Sequence, residues 1–164
     1  MSAATMIAAM NAALQREGID DRVDAVGQFL PRGTTGGMFA GGGVGGDVGG
    51  LLGPSGDAVG TVGGALAGAR GVAAARGLPP ALLVGVSPRW VYGFAGRSRR
   101  REPQRLAFRP PRAGLSVSVK QRLNVRVLTL QASDGSQIQL EGNRLPITHS
   151  KDVIGALRAS PAPV

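Results

Sequence analysis

The spacing of apolar positions changes along the chain. Residues 3 to 17, AATMIAAMNAALQRE, put Met6, Ile7, Met10 and Leu14 on one face among strong helix formers, which predicts a helix ended by Gly18. Val23, Val26, Phe29 and Leu30 then recur every three or four residues and predict a second short helix, from Asp20 or Asp21 to the residue before Pro31. Helices so short are marginal in water and must pack on something. From Ala81 the period falls to two. ALLVGVS and WVYGF read as strands either side of a turn at Pro88, followed by QRLAF, by GLSVSVK and by the longer LNVRVLTLQ. Asp134-Gly135-Ser136 signals a hairpin leading into QIQLEG. RLPIT adds a short edge strand that tolerates Pro146. Ser150 then caps a last helix, KDVIGALRA, with Asp152 in its first turn and Val153, Ile154 and Leu157 on one face.

The predicted class is therefore α+β: short N-terminal helices and a glycine-rich segment, then a small β-barrel or roll of about seven strands capped by a C-terminal helix. The expected boundaries are 1–32 for the helical segment, 33–78 for the glycine-rich linker and 79–160 for the β domain. Residues 33 to 68 hold sixteen glycines, and a solvated helix there would be penalised by on the order of 15 kcal/mol relative to alanine. Glycine at positions 37, 41, 45, 49 and 53 would suit close helix packing in lipid. Asp47, Pro54 and Asp57 interrupt any apolar span, so the segment reads as a flexible linker. Within it, Val59, Val62, Leu66 and Ala69 follow helical spacing with Gly60, Gly64 and Gly68 on another face, which suggests a small-faced helix.

Composition narrows the chemistry. There is no cysteine, which excludes disulfides and thiolate metal sites, and the start of the chain lacks the features of a secretory signal, so a cytoplasmic protein is expected, or one peripheral to the membrane. The net charge of +9 is concentrated: between Arg89 and Arg126 lie ten Arg and Lys120 against the single acid Glu102. No phosphate-cradling loop, metal-ligand spacing or carboxylate pair is present, and no cofactor is expected. His149, Ser150 and Asp152 adjoin in sequence, but a triad draws its members from separate backbone positions. Catalysis is not expected.

LLVGVSPRWVYGF resembles the opening hairpin of bacterial pleckstrin-homology-like and GRAM-like domains, with Ser87 at the hydroxyl position and Val91, Tyr92 and Phe94 on the second strand. Trp90 stands where arginine is expected, and Arg89 comes one place early. The resemblance covers roughly residues 80 to 159 and implies a barrel that binds lipid headgroups or protein segments. On this reading Arg97, Arg99, Arg100, Arg101 and Arg105 form a basic rim able to grip phosphate or an anionic bilayer. The expected partner is a protein or an anionic membrane surface, and homo-oligomers are allowed. Nucleic acid is disfavoured because Trp90, Tyr92, Phe94 and Phe108 alternate like core residues rather than a stacking platform. The alternative is an assembly protein whose N-terminal helices and glycine-rich segment drive oligomerisation or membrane association.

Overall fold

The computed structural model describes residues 1–32, 78–96, 102–122 and 125–159. Helix α1 (Ala3–Arg16) opens on Ser2, whose hydroxyl accepts the Thr5 amide at 3.2 Å. It closes before Gly18, which takes φ +70°. Among the described residues seven strands follow: β1 (Ala25–Pro31), β2 (Leu82–Val86), β3 (Val91–Gly96), β4 (Pro103–Phe108), β5 (Ser116–Arg122), β6 (Val125–Gln131) and β7 (Gln137–Asn143). Helix α2 (Ser150–Arg158) comes last.

The strands form one sheet in the order β4-β3-β2-β1-β7-β6-β5, with every pairing antiparallel. Two meanders are thus joined through β1, and β4 and β5 are left as edges. Strand β1 makes the join by changing partner along its length: Ala25 to Phe29 pair with β2, then Leu30 and Pro31 pair with β7.

The second helix expected over residues 20–30 is therefore not formed; its apolar half lies in β1. The misreading has a physical cause. Sheet faces on both sides of β1 and β2 are covered, so these strands carry nearly continuous apolar runs instead of the alternation that marks a half-exposed strand. On one face Phe29, Leu82, Val84, Val86, Leu128, Leu130 and Leu140 pack with Val153 and Leu157 of α2. On the other, Val23, Val26, Leu83, Tyr92 and Phe94 pack under Met6, Met10 and Leu14 of α1. Val23, Val26 and Phe29 do not share a face at all: the two valines belong to the α1 layer and Phe29 to the α2 layer.

The expected boundary near residue 79 does not separate a helical segment from a β domain, because β1 lies in the middle of the sheet. Residues 33–77, including the expected linker and small-faced helix, lie outside the described residues; they join two strands that are direct neighbours. Both flanks meet at Gln139. The Arg32 amide donates to the Gln139 carbonyl at 3.0 Å and its guanidinium to Gln139 Oε1 at 2.6 Å. Leu78 lines a small depression with Gln137, Ile138 and Gln139.

Two smaller expectations are also corrected. RLPIT is no strand: Pro146–Thr148 form one 3₁₀ turn, where proline's missing donor costs nothing in the first position. Ser150 does not cap α2. His149 holds the N-cap position with φ 52°, and the Ser150 hydroxyl donates instead to the Asn143 carbonyl at 2.7 Å. The expected number of strands equals the observed one because RLPIT stands in it where β1 belongs.

Helix α2 seats closely on β1. A Cβ added at Gly27 would stand 2.7 Å from the His149 carbonyl oxygen and 3.0 Å from Val153 Cγ2. Since backbone cannot swing aside as a side-chain tip can, Gly27→Ala is expected to cost about 1 to 3 kcal/mol as overpacking. A denaturant titration checks it, and an unchanged midpoint would mean that α2 can lift off the sheet freely.

Candidate functional site

Of the five arginines of the expected rim, Arg97, Arg99, Arg100 and Arg101 lie outside the described residues. Arg105 is exposed on the edge strand β4. The strand ends on either side of residues 97–101 are fixed by register. Leu82, at the start of β2, pairs with both Phe29 of β1 and Ala95 of β3, so the β1–β2 and β3–β4 connections leave from the same end of the sheet. Arg16, in the last turn of α1, joins this region by donating to the Pro103 carbonyl at 3.3 Å.

A second cationic surface was not anticipated. Arg126 on β6 pairs opposite Gly142 of β7, close to where the chain turns toward α2. Arg126, Arg144, Leu145, Pro146, His149, Ser150, Lys151 and Asp152 line a groove of about 350 Å³. His149 Nδ1 lies 3.1 Å from Asp152 Oδ2, so the groove's acid is engaged by the imidazole. The first turn of α2 adds backbone amides without side-chain capping, a favourable setting for negative charge. No local motif marks this surface: its cations come from a strand, a loop and a helix, and only the β6–β7 register brings them together.

A third constellation links the α1–β1 connection to the β2–β3 turn. Asp21 Oδ2 accepts the Ser87 hydroxyl at 2.7 Å and the Tyr92 hydroxyl at 2.8 Å, while Asp21 Oδ1 accepts the Arg22 amide at 2.9 Å. Arg89 stands 3.9 Å away but is largely exposed, so its charge contributes little. Burial opposes ionisation of Asp21, yet the two hydroxyls, the amide and Arg89 outweigh it and hold the carboxyl below its usual range. Tyr92 is pushed up to about 12, by burial and then by the Asp21 carboxylate. Ser87 Oγ also accepts the Trp90 amide at 2.9 Å, which closes the turn. A serine hydroxyl and a tyrosine hydroxyl donating to one carboxylate tie the two loops together.

The aromatic residues divide. Tyr92 and Phe94 are fully buried, whereas Trp90 and Phe108 are half-buried. The Arg109 guanidinium lies 4.2 Å from the Trp90 ring centroid and covers it.

Among the described residues no three His, Asp or Glu side chains come together as a metal site, and no helix is long and apolar enough to cross a membrane. No family model matches this chain, and no curated protein matches it.

Proposed function

We propose that the chain is a non-enzymatic binding module with a pleckstrin-homology-like barrel that holds a protein partner or an anionic lipid surface at its arginine-bearing rim. The observation that carries this reading is topological. Two antiparallel meanders of three strands each meet through β1, remain open between β4 and β5, and take one C-terminal helix against the face that carries Phe29, Leu82 and Leu140. That order suits a pleckstrin-homology-like roll, and the register that ends β1 and β3 on the same side supports a rim built from the arginines between β3 and β4 together with Arg105. Assembly through the N-terminal helix is less favoured, because Met6, Met10 and Leu14 are already spent on the chain's own sheet.

Sedimentation with phosphatidylserine-containing vesicles tests the rim. Arg99, Arg100 and Arg101 changed together to Gln should weaken binding by about 3 kcal/mol, at about 1 kcal/mol per charge near the surface. The loss should shrink as salt rises. If that variant binds vesicles like the parent but loses an acidic polypeptide, the rim serves a protein; if it loses neither, the rim is ordinary solvated surface.

A further inference from the structure

The β7–α2 loop shows an unusual combination. Among the described residues the exposed large apolar side chains are Met1, Leu145 at 54% and Ile147 at 59%. Leu145 and Ile147 stand two apart on the 3₁₀ turn, next to the groove that holds Arg126, Arg144 and Lys151. Single exposed apolar residues need no explanation, but a pair beside three cations does.

Their exposure is built in. Asn143 Oδ1 accepts the Leu145 amide at 3.0 Å. The Thr148 hydroxyl lies 2.8 Å from the Leu145 carbonyl and 3.0 Å from the Asn143 carbonyl, and Ser150 Oγ reaches that Asn143 oxygen at 2.7 Å. Buried Thr148 and Ser150 thus pin the loop from beneath while Leu145 and Ile147 face outward. A loop held this way loses little freedom on binding, which favours a built contact over slack chain.

We infer that this loop is a membrane-attachment site: Leu145 and Ile147 enter the headgroup–acyl boundary of an anionic bilayer while Arg126, Arg144 and Lys151 meet the lipid phosphates. Charge complementarity selects the occupant. Arginine and lysine flanking a short apolar tip match an interface that is anionic outside and apolar just beneath, where the long side chains can keep their charges among the headgroups. The site lies at the end of β7 away from Arg32 and Gln139, and it stands or falls independently of the arginines of residues 97–105.

The test uses the full chain and vesicles of phosphatidylcholine with phosphatidylserine, beside pure phosphatidylcholine. Leu145→Ser with Ile147→Ser should lower partitioning by about a hundredfold, near tenfold for each half-exposed side chain, and the loss should persist at high salt. Arg126→Gln with Lys151→Gln should lower it by about fivefold per charge, and that loss should vanish at high salt. Because the chain has no cysteine, Ile147→Cys carrying an environment-sensitive dye reports the loop alone. Its emission should shift to the blue on anionic vesicles, whereas the same dye at Ser133→Cys, on the β6–β7 turn, should not. An unshifted dye at position 147, or a Leu145/Ile147 variant that binds like the parent, overturns the inference. Loss of vesicle binding in the Arg99/Arg100/Arg101 variant with the loop variant unaffected would assign attachment to the rim instead.

Discussion

A chain that begins at Leu78 is expected not to fold, and a separate peptide of residues 1–32 is expected to restore the fold when mixed with it. Among the described residues strand β1 is the one that joins the meanders β2–β4 and β5–β7 within the sheet, and it pairs with both. Without it Leu82, Leu140 and Val153 lose Phe29 from their layer, while Leu83, Tyr92 and Phe94 lose α1 and face water. The deficit is several fully buried large side chains, at about 1.5 to 3 kcal/mol each. It exceeds the marginal stability, roughly 5 to 15 kcal/mol, of an ordinary domain. Amide proton dispersion in a heteronuclear spectrum checks both halves of the expectation: collapsed for the truncated chain, native-like for the mixture. A truncated chain with a dispersed spectrum and a cooperative unfolding transition would show that the C-terminal strands make a domain of their own.

The second large effect is expected at Asp21. Changing it to Ala leaves the hydroxyls of Ser87 and Tyr92 without their carboxylate, in a position where the Asp21 side chain was only 10% exposed. Hydrogen bonds to a charged acceptor are worth about 1.5 to 3 kcal/mol each, so a loss of about 3 kcal/mol is expected. Tyr92→Phe should cost less, since Ser87 still satisfies the carboxylate. The same pair sets a pH window. With its folded value depressed, Asp21 contributes above the ordinary carboxylate value of 3.8, and the contribution is lost as pH falls further. With its folded value raised, Tyr92 contributes fully below 10.0, and the contribution is lost as pH climbs toward about 12. Unfolding free energies across this range should therefore show acid and alkaline losses in the parent that are smaller in Asp21→Ala. Parallel profiles for the two proteins would remove the network from the stability of the fold.

Local chemistry made much of the architecture legible. Helix α1 was readable because Met6, Met10 and Leu14 repeat on one face ahead of Gly18. The β5 strand was readable because Val117 and Val119 alternate with exposed Ser118 and Lys120. The β6–β7 hairpin was readable because Gly135 takes φ +87° and Asp134 Oδ1 accepts both the amide and the hydroxyl of Ser136. Each feature satisfies its backbone or one exposed face within a few residues.

What stayed hidden depends on contacts between distant residues. The sequence by itself determined the α+β class, the run of C-terminal strands from β2 to β7, both terminal helices and the concentration of arginine after Arg89. Periodicity, turn residues and charge act over distances that a short window of sequence contains. Only the tertiary structure decided that residues 25–31 are the central strand. That depends on α1 covering one face of the sheet and α2 the other, and such double covering erases the alternation by which a strand is recognised. It also decided which cations share a surface. Arg126, Arg144 and Lys151 become neighbours through the β6–β7 ladder and the Asn143-pinned loop, and no spacing along the chain encodes a register set by packing.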